Sequence, residues 1–147
     1  MLGDITLESI KVNVLCENWE DAIKKGCKLL ENKGYVEPEY EYAIIKSLKN
    51  IGPYMVIAPN IVLSHGRPED GVNKTAVSFL TLKKPIDFGS EQNDPVKLVI
   101  TLAAKDNKSH IGVLGEIVDL LRNKEDLQKI MNSKTEKEVL NILTKYS

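Results

Sequence analysis

VKLVITLAA, residues 96 to 104, is apolar at nearly every position. A strand with one solvated face alternates apolar and polar residues, whereas a strand apolar on both faces must be covered on both. This segment therefore belongs at the centre of a sheet that carries helices on each side. The expected architecture is α/β: a three-layer α/β/α sandwich on a mixed β-sheet. The neighbouring segments fit that frame. Tyr54 to Ala58, Ile61 to Ser64 and Thr75 to Leu82 read as further strands, and Ile10 to Leu15 alternates through Ile10, Val12 and Val14 as a half-buried one. Asn18 offers a helix N-cap, followed by Trp19, Ala22, Ile23, Gly26, Leu29 and Leu30 at helical spacing up to Gly34. Pro38 opens a second helix that runs through Ala43, Ile44, Ile45 and Leu48 to Gly52. The last third is helical: Ile111, Leu114, Val118 and Leu121 share a face, a short helix covers Glu125 to Met131, and a final one spans Glu136 to Lys145.

The chain has 147 residues, of which 42% are hydrophobic and 28% charged, and it carries a formal net charge of −1. That length and composition suit one folded domain over residues 1–147. Its longest apolar runs fall far short of the roughly 20 residues that cross a bilayer, and its first residues do not read as a secretory signal. A cytoplasmic location is expected. Basic residues are scattered and only two are arginines, so no cationic stripe tracks a nucleic-acid backbone. Cys16 and Cys27 have neither a disulfide-framework nor a metal-ligand spacing, and Cys27 falls beside an apolar helix face as a buried thiol.

Two histidines occur, and each sits where a strand gives way to another element. His65 follows the strand ending at Ser64 and opens the loop Gly66-Arg67-Pro68-Glu69-Asp70-Gly71. His110 follows the apolar strand at a helix start. Ligands collect at strand ends in sheets of this kind, so the two can share one edge of the fold. A zinc site needs three or four ligands; two histidines with Asp106 as the remaining candidate do not supply it. No G-x-S-x-G elbow and no phosphate-binding G-x-x-x-x-G-K-[ST] loop is present. No metal or cofactor is expected.

The segment GPYMVIAPNIVLSHGRPEDGV (Gly52 to Val72) resembles the active-site block of enzyme IIA proteins of the sugar phosphotransferase system, in the mannitol/fructose superfamily of type-2 EIIA domains. The resemblance continues through KTAVSFLTLKKPIDF (Lys74 to Phe88), NDPVKLVITLAAKDNKSH (Asn93 to His110) and the W-x-x-A-I of Trp19 to Ile23. The H-G-R-P-E-D-G-V loop and the N-D-P-V segment most resemble the ascorbate-specific subgroup. The resemblance implies a mannitol-type IIA fold and a phosphoryl carrier. His65 would accept the phosphoryl group from the histidine-containing phosphocarrier protein HPr, itself charged by enzyme I from phosphoenolpyruvate. It would pass the group to a cysteine of a IIB component that serves a membrane IIC permease. His110 aligns with the second family histidine and would stabilise the phosphoryl group. A homodimer stays open, as do a regulatory nitrogen-type IIA module, a IIA for mannitol, fructose or galactitol, and a site that has lost activity.

Two departures from the family pattern bear on the site. Ser64 stands where the family usually has proline; it could loosen the approach of the loop or add a hydroxyl near the phosphoryl group. Mannitol-type relatives carry an arginine near the end of the second helix, where this chain offers Lys49 and Asn50. Arg67 is then the nearest arginine in sequence; it could pair with phosphoryl oxygens or bridge Glu69 or Asp70. Imidazole suits the task, because a ring titrating near ~6.5 is largely neutral at cytosolic pH and attacks phosphorus without a strong base. The family expectation is reaction at Nε2, with Nδ1 fixed by a backbone carbonyl.

Overall fold

In the computed structural model, which describes residues 2–146, five strands form one sheet. They are β1 (Ile10–Val14), β2 (Val56–Ala58), β3 (Ile61–His65), β4 (Ala76–Ile86) and β5 (Val96–Ala103), in the order β1-β4-β5-β3-β2. β1 runs parallel to β4 and β3 parallel to β5, while β4/β5 and β2/β3 are antiparallel, so the sheet is mixed as expected. β5 is the central strand and is buried along its length, apart from half-buried Lys97. The ammonium of Lys97 donates to the Leu82 carbonyl at 2.6 Å, which gives the strand's one charge a partner.

Helices cover both faces. α1 (Trp19–Glu31) and α2 (Glu39–Ile51) enclose one core, in which Ile23, Leu30, Ile44 and Leu48 pack on Val62, Leu80 and Val99. α3 (Asn107–Arg122), α4 (Lys124–Met131) and α5 (Glu136–Leu143) enclose the other, packing Val113, Ile117, Leu120, Ile130 and Val139 on Leu63, Phe79 and Ile100. The start of α1 is capped as the sequence indicates: the Asn18 side chain accepts from the Asp21 N–H at 2.9 Å. Among the described residues, no helix is long and apolar enough to cross a membrane.

Several boundaries differ from the pattern reading: β2 begins at Val56 rather than Tyr54, β1 ends at Val14 rather than Leu15, and β3 runs on to His65. β4 continues past Leu82 to Ile86 because β5 goes on pairing with it, Ile86 opposite Val96. Lys83 and Lys84 therefore lie within a strand, with exposed side chains, rather than at its end. The final helix stops at Leu143, and two 3-10 turns, Leu2–Asp4 and Leu7–Ser9, precede β1. Turns of three residues carry too little hydrophobic period to be read from sequence.

One close approach fixes how α1 lies on the sheet. A Cβ at Gly26 would stand 2.6 Å from Thr101 Oγ1 and 3.2 Å from Val99 Cγ1. The Ser78 hydroxyl donates to the Gly26 carbonyl at 3.0 Å, and Ser78, Thr101 and Ser64 lie side by side across β4, β5 and β3. This polar rung is fully buried beneath α1. Cys27 packs beside it at 1% exposure, and burial pushes its thiol pKa up. Gly26→Ala is expected to destabilise the fold by about 1–3 kcal/mol through overpacking, despite the better helix propensity of alanine. In urea unfolding, Gly26→Ala with Thr101→Ala is expected to recover most of that loss, since the added methyl then meets no hydroxyl. Simple additivity of the two changes would disprove the close approach as the cause.

Candidate active site

His65 is the last residue of β3 and stands opposite Leu102 of β5 in parallel register. It shares a sheet face with Leu63, and its Nδ1 lies 2.9 Å from the Leu63 carbonyl oxygen. A carbonyl only accepts, so Nδ1 carries the proton and Nε2 keeps its lone pair in the neutral ring. The edge of the half-buried imidazole meets Tyr54, with ring centroids 6.4 Å apart and planes at 86°.

Two hollows meet at this ring. The first, of about 200 Å³, is lined by His65, Gly66, Arg67, Leu102, Asn107 and His110. The two histidines, far apart in sequence, thus border one space. His110 lies in the first turn of α3, which Asp106 caps by accepting the Ser109 N–H at 2.7 Å. That hydrogen bond holds the Asp106 carboxyl below its ordinary pKa. The positive end of α3 borders the same hollow and favours an anion there.

The second hollow, of about 520 Å³, opens on the other side of His65 and is lined by Lys46, Ser47, Asn50, Tyr54, Arg67 and Asp70. Lys46 and Asn50 stand one turn apart on α2 and face it together. Sequence reading considered Lys49 and Asn50 for this region; the Lys49 ammonium instead lies 3.6 Å from Glu20, away from both hollows. Lys46 was missed, although burial of Ile44, Ile45 and Leu48 leaves residues 43, 46, 47 and 50 as one outward face.

Arg67 borders both hollows, but its side chain is tied to Asp70: Nη2 to Oδ1 at 3.2 Å and Nε to Oδ2 at 3.4 Å. Of the two alternatives left open for Arg67, the structure holds the bridge to Asp70. Burial by itself would raise the Asp70 carboxyl, but hydrogen bonds from the Arg67 side chain and backbone outweigh it and lower the pKa. Ser64 is not brought to either hollow. It is fully buried on the opposite sheet face, in the polar rung under α1, so its hydroxyl does not line either hollow. Among the described residues, no cluster of three or more His, Cys, Asp or Glu side chains gathers to hold a metal.

Tyr40 is a further residue of the site that its sequence context presents as ordinary packing. It is wholly buried in α2, and its hydroxyl donates to the Leu102 carbonyl at 2.7 Å while accepting the Gly66 N–H at 2.8 Å. Burial pushes its pKa up, so it stays a neutral donor and acceptor. One side chain thereby joins the residue after His65 to the β5 residue beside His65.

Residues 5–146 match the family described as "Phosphoenolpyruvate-dependent sugar phosphotransferase system, EIIA 2". The ascorbate-specific PTS system EIIA component of Shigella dysenteriae serotype 1 is 43% identical over 138 residues, covering 92% of this chain and 89% of that protein. The solution structure of the mannitol-specific cryptic phosphotransferase enzyme IIA CmtB from Escherichia coli superposes with a TM-score of 0.90 at 34% identity, over 98% of each chain. The complex of enzyme IIAMTL with phosphorylated enzyme IIBMTL from Escherichia coli matches with a TM-score of 0.84 at 30% identity, over 97% of this chain and 98% of that one.

Tyr40→Phe is expected to cost about 1–3 kcal/mol, because it leaves the buried Leu102 carbonyl and the Gly66 N–H without their shared partner. Native-state hydrogen exchange is expected to show the Gly66 amide losing protection ahead of the β5 core. Unchanged protection there would mean that the loop is held by other contacts.

Proposed function

The chain belongs to the EIIA 2 family of the phosphoenolpyruvate-dependent sugar phosphotransferase system, and we propose that it serves that system as a phosphoryl carrier with His65 as the acceptor. One observation carries this reading: His65 is half-exposed between two hollows, its Nδ1 committed to the Leu63 carbonyl and its Nε2 left free as a nucleophile. The donor is the phosphohistidine of HPr, and the acceptor is a cysteine of a IIB component. The match to a IIA protein solved with phosphorylated IIB supports the second partner. The 43% identity to an ascorbate-specific component supports a sugar acid, L-ascorbate, as the transported substrate. The carrier works in the cytoplasm, where its donor is charged.

The chemistry asks little of the protein beyond position and charge. The lone pair of His65 Nε2 forms a bond to phosphorus while the donor's N–P bond breaks. The electron pair of that bond returns to the donor ring, which leaves as neutral imidazole because its other nitrogen is protonated. His65 keeps its Nδ1 proton, held against the Leu63 carbonyl, so no proton has to cross the site. In the second step a cysteine thiolate attacks the same phosphorus, the Nε2–P bond breaks, and its electron pair returns to Nε2 to restore the neutral ring. His110 donates an N–H to a phosphoryl oxygen across the shared hollow, and the start of α3 adds its partial positive charge. Arg67 is the movable cation, and Lys46 adds positive charge at the second hollow.

With enzyme I, HPr and labelled phosphoenolpyruvate, the protein is expected to take up acid-labile label that disappears in His65→Ala; a wild type that stays unlabelled refutes the assignment. His110→Ala is expected to label but to transfer to the IIB cysteine more slowly. The slowing follows from a hydrogen bond that His110 makes more strongly to the group in transfer than to resting phosphohistidine; losing about 1.5–3 kcal/mol there corresponds to roughly 10- to 150-fold in rate. Stopped-transfer assays that show unchanged rates would remove His110 from the site.

A further inference from the structure

We propose that Asp70 is a positioning residue that sets how tightly His65 holds its phosphoryl group, by keeping the Arg67 guanidinium in reserve. The proposal rests on the reading that His65 is the phosphoryl acceptor. It concerns a carboxylate that the transfer chemistry itself does not use.

The loop 66–71 is built to hold this carboxylate still. Asp70 Oδ2 accepts the Arg67 backbone N–H at 2.8 Å, and the same carboxylate takes two contacts from the Arg67 guanidinium at 3.2 and 3.4 Å. Pro68 presets the turn, and Gly71, at φ 115°, closes it with its N–H on the Pro68 carbonyl. A Cβ at Gly66 would lie 3.2 Å from Asp70 Oδ2 and 3.0 Å from the Tyr40 ring, so the carboxylate sits hard against the residue that follows His65. Its side chain is 15% exposed, whereas that of Arg67 is 74% exposed. Asp70 is therefore the fixed member of the pair and Arg67 the mobile one.

This asymmetry has a consequence for the phosphoryl group. An ion pair with one partner in solvent is weak and exchanges readily. A phosphoryl group on His65 brings about two negative charges and three acceptor oxygens to the hollow that Arg67 already borders. The guanidinium then has two anions to choose between, and its gain from turning to the phosphoryl group is the difference between them. No covalent bond and no proton changes at either residue. Asp70 thus lowers the net stabilisation that Arg67 gives to phosphohistidine and keeps the group easy to discharge. With Asp70 removed, Arg67 is free to bind the phosphoryl group without competition, and the carrier holds on to its cargo.

The test is the equilibrium constant for phosphoryl exchange between phosphorylated HPr and this protein. It is read from label distribution in the wild type, Asp70→Asn, Arg67→Ala and the double variant. Asparagine keeps an oxygen for the Arg67 N–H, so the turn retains its backbone contact. Asp70→Asn is expected to shift the equilibrium about fivefold or more towards phosphorylated His65 and to slow discharge to the IIB cysteine. In the Arg67→Ala background the same change is expected to move it less than about twofold. An equal shift in both backgrounds would mean that Asp70 acts by direct repulsion of the phosphoryl group and would overturn the proposal, as would an unaltered constant in Asp70→Asn. Absence of label on wild-type His65 would instead defeat the underlying reading.

Discussion

The parallel pairing of β3 with β5 is the constraint from which the site follows. β5 is buried on both faces, and its five register partners from Leu98 to Leu102 hold β3 from Ile61 to His65. Side chains alternate across a strand, so a slip of one residue would turn His65 into the core under α1 and bring Ser64 to the opposite face. Covering β5 with helices on both sides makes such a slip expensive, because it would press Leu63 into the close seat of α1, move the Ser64 hydroxyl into the apolar core under α3 and bury an imidazole. The position of the His65 ring is thus a by-product of apolar burial several residues away.

Around that fixed ring the supporting contacts grade from rigid to mobile. Nδ1 is held by a backbone carbonyl of its own strand. The next residue is held by the buried hydroxyl of Tyr40, which also grips β5. Beyond it, Asp70 is seated in the loop, and Arg67 reaches into solvent. A carrier benefits from that gradient. With His65 as the proposed acceptor, the ring must be presented in one orientation, while the charges around it must let a phosphoryl group arrive and depart. Exposed Ile51 and Tyr54 line the second hollow and give it the apolar character that protein surfaces meeting partners commonly carry.

The polar rung under α1 shows how a residue close to a reactive group in sequence can belong to another part of the structure. Ser64 precedes His65 directly, yet it lies with Thr101 and Ser78 beneath Gly26. Among the described residues the Thr101 hydroxyl has no hydrogen-bond partner, and the absence of a side chain at Gly26 lets α1 approach the rung closely. Ser64 therefore contributes to the seat of the helix, not to the surface of the site.

Much of this was legible in the chain. The apolar run at residues 96–104 identified a doubly covered strand, the N-cap at Asn18 marked the start of α1, and the loop from His65 to Gly71 could be placed after a strand. These follow from local periodicity and from residues whose backbone preferences are strong. Sequence could not say that Tyr40 bonds Gly66 and Leu102, that Lys46 rather than Lys49 faces the hollow, or that Arg67 rests on Asp70. Each of those depends on the rotation of a helix or the closure of a loop against a distant strand, and such geometry is set by packing between segments that no local pattern encodes.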